Sequence, residues 1–135
     1  MATDNQLKNI VRKGRISTVD GPGCRAKVVF EDSDDLVSDW LPVLQPFTGA
    51  SKGYYIPEVG TPVVCLFQMN PSGAGLSDGC ILGAYYDSGS QPAESDPDVR
   101  SVRFPDGSYI RYDHGKLEIH GAGDVIITGA TVSIN

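Results

Sequence analysis

The residues of this 135-residue chain whose types could do chemistry begin with its two histidines, His114 and His120. A pair of imidazoles is a common ligand set for transition metals. His114 also follows Asp113 and lies six residues after Ser108, so the three residue types of a nucleophilic triad occur together. No nucleophile-elbow sequence surrounds Ser108, however. We therefore predict neither a metal site nor a catalytic site, and we interpret both histidines as polar residues at strand edges.

Two further groups suggest binding rather than catalysis. The acidic run Glu31–Asp35 resembles a calcium loop but lacks the glycine and the distal glutamate that such a loop requires, which favours a solvated loop. Trp40, Tyr54 and Tyr55 could form a platform for stacking sugars or bases. The net charge of −6 argues against a nucleic-acid partner, which would need a basic patch. We predict core packing for Trp40 and subunit contacts for the tyrosines, with a free binding module as the alternative.

The three cysteines predict no cofactor. Cys24, Cys65 and Cys80 form no CxxC pair, so a zinc site is not indicated. Cys65 and Cys80 have apolar neighbours and are expected to be small buried side chains in a reducing compartment. The N-terminal residues lack the apolar region of a signal peptide. We therefore expect synthesis and assembly in the bacterial cytoplasm.

The elements that must position these residues are almost entirely β-strands. Residues 2–12 allow one short helix, and from Gly14 onward the pattern predicts five strands that fit a small closed barrel such as an OB-fold. In the second strand, Ala26, Val28 and Phe30 share one face. A stretch rich in Ser, Pro and Asp follows the fifth strand and is typical of an extended linker. The predicted organisation is an N-terminal segment with a short helix (1–13), an OB-fold domain (14–86), a linker (87–101) and a repetitive tail (102–135).

The tail repeats a pair of apolar residues every seven or eight positions, and turn formers such as Asp106-Gly107 and His114-Gly115 separate the pairs. This pattern predicts five short strands, each with two apolar side chains on one face. The ten residues are Val102, Phe104, Ile110, Tyr112, Leu117, Ile119, Val125, Ile127, Val132 and Ile134.

A tail of this kind cannot fold alone. Burial of ten apolar side chains would contribute roughly 20 kcal/mol, whereas ordering the tail costs roughly 50 kcal/mol. Each repeat buries its face only against neighbours, which here must come from other chains. Self-association into a closed ring of identical subunits is the symmetric solution. The periodicity does not distinguish two, three or six subunits.

Three segments of the chain together resemble the baseplate assembly protein V family, the central spike proteins of contractile-tailed phages. They are "SDWLPVLQPFTG" (Ser38–Gly49), "GYYIPEVGTPVVCLF" (Gly53–Phe67) and the stretch Gly75–His114, which ends in "FPDGSYIRYDH". Similar proteins occur in R-type bacteriocins, which are headless contractile particles. The resemblance runs in order from Gly14 to Asn135.

The resemblance implies an all-β protein with an N-terminal OB-fold barrel followed by a short intertwined triple-stranded β-helix in a homotrimer. The ten apolar residues would then line the trimer axis. It implies a structural role without enzymatic activity, because the linker leaves no room for the fused lysozyme of some spikes. The expected partners are the tail tube and baseplate hub at the N-terminal domain, with transient contact to the target cell envelope. The expected location is the tail baseplate of a virion or a tail-like particle.

One departure from the family concerns the tip. Full-length spikes carry a His-x-His motif that binds iron, and His114 and His120 do not form it. Five strands at about 4.8 Å spacing give a prism about 24 Å long, shorter than a bilayer of about 40–45 Å. We therefore expect either a shortened sequence or a separate tip protein, which would dock on Val132, Ile134 and Asn135.

Overall fold

The computed structural model describes residues 10–68 and 78–135. The chain divides into two units, Met1–Gln91 and Pro92–Asn135. Regular structure in the described residues consists of nine strands and one short 3-10 helix, Glu31–Ser33, which confirms the all-β prediction. No helix in the described part of the chain is long and apolar enough to cross a membrane.

The first unit is a closed barrel. Its strands pair in the order β3–β2–β1–β5–β6, and β4 pairs with β2. A parallel bridge between Val43 and Ile81 joins the end of β4 to β6, and the Leu44 amide donates a hydrogen bond of 3.1 Å to the Ile81 carbonyl. This contact closes the sheet into a ring. The strands are β1 (Val11–Asp20), β2 (Arg25–Phe30), β3 (Leu36–Val37), β4 (Leu41–Pro42), β5 (Pro62–Phe67) and β6 (Gly79–Ala84).

Strict alternation along the strands fills the barrel. Ala26, Val28 and Phe30 are fully buried, as the sequence predicts, because successive side chains of β2 point to opposite faces. Phe30 packs edge-to-face on Phe67 of β5, with ring centroids 5.9 Å apart. Each large side chain contributes about 1.5–3 kcal/mol on burial. The other core residues are Ile16, Leu41, Val43, Val63, Cys65 and Ile81.

The barrel requires a glycine in β1 at a position beside β2. A Cβ atom on Gly14 would lie 2.5 Å from Val28 Cγ1 and 2.7 Å from the Val29 carbonyl oxygen, closer than real Cβ contacts. At this position β1 therefore lies so close to its paired neighbour β2 that only a residue without a side chain fits.

The start of β1 differs from the sequence-based expectation of a helix over residues 2–12. Val11 pairs with Leu66 and Arg12 with Cys65, so both residues lie in a strand. A short run of mixed apolar and polar residues fits both periods, and the pairing with β5 decides between them. The rest of that predicted helix, up to residue 9, lies outside the described residues.

The second unit is an antiparallel three-stranded sheet of β7 (Arg100–Arg103), β8 (Tyr109–Asp113) and β9 (Lys116–His120). Both connections fall at the predicted turns. Gly107 has φ +94°, and His114 and Gly115 have φ +49° and +91°, the left-handed pair of a two-residue hairpin loop.

Two of the five predicted tail strands do not form within the single chain. Residues 124–135 contain no strand and pair with no other part of the described chain. A strand needs a partner for its backbone hydrogen bonds, and β9 is followed by no further hairpin. The apolar pairs Val125/Ile127 and Val132/Ile134 therefore lie on unpaired backbone.

Candidate functional site

The strand register places five of the ten predicted apolar residues on one face of the second unit. Val102 lies opposite Ile110, and Ile110 lies opposite Ile119, so the three form one row across β7, β8 and β9. Tyr112 and Leu117 are opposite each other in the next row, beside Arg100. Directly opposed residues of an antiparallel pair share a face. We call the ten predicted residues together the apolar face; Phe104 follows β7, and the register does not extend to Val125, Ile127, Val132 and Ile134.

The apolar face is uncovered in the single chain. All ten of its side chains are exposed, from 44% for Tyr112 to 89% for Ile134. Exposed apolar residues are ordinary when scattered, but a contiguous group of this kind marks an interaction surface.

The opposite face of the same sheet is polar, and its charges are paired within the chain. Glu94 accepts hydrogen bonds from Arg103 Nη2 at 2.6 Å and from Arg111 Nη2 at 3.1 Å. The hydrogen bonds from Arg111 and Arg103 lower the pKa of the Glu94 carboxyl to about 2. Tyr109 stacks on His120 at 5.2 Å and donates a hydrogen bond to Glu118. The charged groups of the polar face thus have partners within the chain, whereas the apolar side chains of the opposite face are uncovered.

Arg15 joins the segment predicted as a linker to the barrel. Asp87 accepts a hydrogen bond of 2.6 Å from Arg15 Nη2. This bond is the main reason that the pKa of the Asp87 carboxyl lies below its ordinary value. Arg100 and Ser101, the last residues of that segment, already belong to β7. Both ends of the predicted linker are therefore held by specific contacts.

The two histidines do not meet. His120 stacks on Tyr109, whereas His114 occupies the β8–β9 turn. The Ser108 hydroxyl accepts a hydrogen bond from the Ala122 amide and is thus held by backbone. His114 Nδ1 is 2.6 Å from Asp113 Oδ1, and its Nε2 faces Asp96 and Asp98 rather than a hydroxyl. The geometry does not assemble a nucleophilic triad.

The meeting of Asp96, Asp98 and His114 is a cluster that sequence reasoning missed. One donor atom from each of the three side chains lies within 4.8 Å of the other two, so these residues could hold a metal ion. The signal in the sequence is the Asp-x-Asp spacing together with the Asp-His-Gly turn. This signal alone could not predict the cluster, because the local pattern does not indicate that residues 96–98 lie close to His114.

The acidic run of the barrel serves as a set of ion-pair partners. Glu31 Oε1 lies 3.0 Å from Arg15 Nε, and Asp32 Oδ1 lies 3.8 Å from Arg12 Nη2. Arg12 is buried, stacks over the Phe30 ring at 4.1 Å and donates a hydrogen bond to Ser33. Glu31 and Asp32 therefore face arginine side chains, and all four acidic residues of the run are exposed.

The aromatic residues considered as a platform are engaged separately. Trp40 is not part of the core; it is partly exposed, and Lys27 Nζ and Arg25 Cζ lie 5.0 and 5.4 Å from its ring centroid. The core prediction for Trp40 is therefore wrong, because its partly exposed ring lies beside the cationic groups of Arg25 and Lys27. The Tyr54 hydroxyl donates a hydrogen bond to the Gly21 carbonyl, and Tyr55 is half exposed.

Cys65 alone among the cysteines is fully buried, and this burial raises its thiol pKa to about 12. Cys24 and Cys80 are partly buried, so the prediction that Cys80 is a buried side chain is confirmed only in part. All three are free thiols. Cys24 accepts a hydrogen bond from Gln45 Nε2 at its sulfur.

Comparison with known proteins adds to this geometry. Residues 12–86, which contain all of the barrel strands except the first residue of β1, match the family model described as the type VI secretion system/phage-baseplate injector OB domain. The chain is also similar to the spike protein of Escherichia phage P2, with 32% identity over 108 residues. The matched region is 79% of this chain and 47% of the phage protein, so the chain spans about half the length of that relative.

Proposed function

The chain belongs to the type VI secretion system/phage-baseplate injector OB-domain family, and from this we propose that it is the central spike of a contractile phage tail. In this role the protein caps the tail tube, organises the baseplate hub and takes part in penetration of the host envelope. It acts as a structural part of the virion and not as an enzyme. The similarity to the P2 spike protein supports this assignment.

The observation that carries the proposal is the uncovered apolar face. Ten side chains, each worth on the order of 2 kcal/mol when fully buried, are exposed, and those in β7, β8 and β9 lie on the side of the sheet that has no ion pairs. In a homotrimer the three copies of this face would meet at a common axis. Closed symmetry buries all copies at once and leaves no open surface for further growth.

The unpaired residues 124–135 extend the same argument from side chains to backbone. Their N–H and C=O groups find no ladder within the described chain, and β7 and β9 each have one open edge. Open edges are templates for strands of other chains. We propose that the three tails intertwine as a triple-stranded β-helix, so that each chain supplies the missing neighbours of the other two.

The barrel would provide the contacts to the tube and hub. Leu44, Phe47, Tyr54 and Tyr55 are all more than half exposed, and Val59 is 64% exposed. Aromatic side chains are enriched at protein interfaces, and exposed apolar patches mark interaction sites. A separate tip protein that docks on Val132, Ile134 and Asn135 stays a prediction; changing Val132 and Ile134 to Ser should release such a partner from purified particles.

The oligomeric state tests the proposal directly. Light scattering at micromolar concentration should give about three times the chain mass of 14.4 kDa. In the Ile127→Asp variant, three carboxylates would meet at the axis without partners, which costs several kcal/mol per group. We expect this variant to lose the trimer.

Ile126→Asp is the matched control, because neighbouring residues of an extended chain point to opposite sides. This variant should remain a trimer. A wild-type monomer or dimer would refute the proposed assembly, and an unchanged Ile127→Asp trimer would refute the assignment of the inward face.

Two alternatives have separate tests. The spike of a headless R-type bacteriocin-like particle would behave identically when purified, and electron microscopy of particles from the producing cell distinguishes it by the lack of a capsid. A free OB-type binding module is favoured only by the position of Trp40 beside Arg25 and Lys27. It predicts a monomer whose tryptophan fluorescence changes on titration with an oligosaccharide or single-stranded DNA.

A further inference from the structure

We propose that Asp96, Asp98 and His114 bind one divalent cation of the zinc class. The three side chains belong to the second unit and are exposed, and their donor atoms lie within 4.8 Å of one another. The set contains one imidazole nitrogen and two carboxylate oxygens. This mixture suits Zn²⁺ and neighbouring transition metals better than Ca²⁺, which prefers six to eight oxygen ligands.

The distances from His114 to the two aspartates fit a shared cation better than they fit hydrogen bonds. His114 Nε2 lies 3.8 Å from Asp96 Oδ2 and 3.8 Å from Asp98 Oδ2. Both distances exceed the normal range of an N–H···O hydrogen bond, so a proton on Nε2 bonds neither carboxylate. Tetrahedral zinc ligands at about 2.0–2.1 Å from the metal lie about 3.3–3.4 Å apart. Each of the two distances from His114 Nε2 therefore needs to shorten by only about half an ångström.

The orientation of the His114 ring is fixed by a contact at its other nitrogen, Nδ1. Its Nδ1 is 2.6 Å from Asp113 Oδ1, and Arg111 Nη1 holds the other oxygen of Asp113 at 3.0 Å. A histidine ligand commonly donates its second ring N–H to a carboxylate, which fixes the tautomer and aims the free nitrogen at the metal. Here the free nitrogen is Nε2, which faces both Asp96 and Asp98.

The surroundings leave room to complete the coordination shell. Asp98 and His114 line an open pocket of about 380 Å³ together with Arg100 and Tyr112. The Arg100 guanidinium donates to the carbonyl oxygens of Pro97 and Val99. The Arg100 guanidinium is thus held by backbone oxygens, and water in the open pocket can supply the remaining ligands. A bound cation would tie the segment that precedes β7 to the β8–β9 turn.

This inference revises the sequence-based expectation of no metal, which considered His114 only together with His120. It uses one histidine, does not require the His-x-His motif, and is independent of the proposed spike function. Trimerisation could therefore fail while zinc binding succeeds, and the reverse also holds.

The test is titration of the chelator-washed full chain with ZnCl₂ by isothermal calorimetry, together with the visible absorption of the Co²⁺-loaded protein. We expect saturable binding of one ion per chain and a Co²⁺ spectrum with nitrogen ligation. His114→Gln should abolish saturable binding. Asp113→Asn, which removes only the supporting carboxylate, should weaken it about 10–100-fold.

His120→Gln is the matched control, since His120 stacks on Tyr109 away from the cluster, and it should bind zinc like the wild type. Asp98→Asn provides a second ligand variant in case His114→Gln fails to fold, as judged by circular dichroism. Absence of saturable binding to the wild type overturns the proposal. Unchanged binding in the folded ligand variants, or equal loss in His120→Gln, overturns it as well.

Discussion

Glu94 and Arg111 form a two-pronged ion pair, in which Arg111 Nε and Nη2 both donate to the carboxylate at 3.1 to 3.3 Å. Seventeen positions separate the two residues along the chain. The pair attaches the stretch before β7 to the polar face of β8. A stretch rich in Ser, Pro and Asp therefore acquires a defined position through one carboxylate rather than through apolar burial.

Glu94→Gln should lower the melting temperature of the C-terminal unit. The substitution removes the negative charge that faces both Arg111 and Arg103, and an amide cannot accept the fork of hydrogen bonds equally well. Thermal melting followed by near-ultraviolet circular dichroism measures the effect. Glu58→Gln, at an exposed barrel carboxylate, is the control and should melt like the wild type; equal melting of all three proteins would refute the role of the pair.

Acidification should weaken the barrel through Asp87. The hydrogen bond from Arg15 lowers the folded-state pKa of Asp87 below its ordinary value. A lowered pKa contributes stability above the unfolded value, and this contribution is lost as the pH falls through the folded value. Wild type should therefore lose more stability between pH 6 and pH 3 than Asp87→Asn does. Parallel pH profiles of melting temperature for the two proteins would contradict this.

Cys65 should resist alkylation in the folded protein. Its side chain is fully buried, and its thiol pKa of about 12 leaves only about one molecule in 10⁴ as thiolate at pH 8. Cys24 and Cys80 are partly exposed and should react first with iodoacetamide. Peptide mass spectrometry after a timed pulse identifies the labelled sites, and modification of Cys65 before the other two would count against a closed barrel.

Gly14→Ala should destabilise the barrel by about 1–3 kcal/mol, the usual cost of overpacking a core. The added methyl group would collide with Val28 and with the backbone of Val29. Gly83→Ala is the control, because a Cβ at Gly83 meets no atom within 4 Å. Urea denaturation should separate the two variants, and equal midpoints would contradict the close approach of β1 and β2.

Much of the fold was predictable, because the barrel and the first three tail strands rely on local alternation and turn chemistry. Ala26, Val28 and Phe30 are buried as their spacing indicates, and the turn at Gly107 lies where Asp-Gly predicts it. The positions of Val125 and Val132 were not recoverable in the same way, because a strand there needs a partner that one chain does not contain. The approach of Asp96 to His114 depends on the β8–β9 hairpin and the path of the preceding segment, neither of which the spacing of the two residues encodes.

The closure of the barrel has a kinetic consequence. β1 is joined to β5 by a ladder of five residue pairs, whereas β4 meets β6 through the single bridge of Val43 with Ile81 and the neighbouring Leu44 amide. We expect a closed sheet to open first between the two strands that are joined by the fewest backbone hydrogen bonds. Such local opening requires less free energy than global unfolding. The Leu44 amide should therefore exchange its hydrogen with deuterated solvent well before the amides of β1. The barrel would then open locally between β4 and β6 while its other strand pairs stay formed.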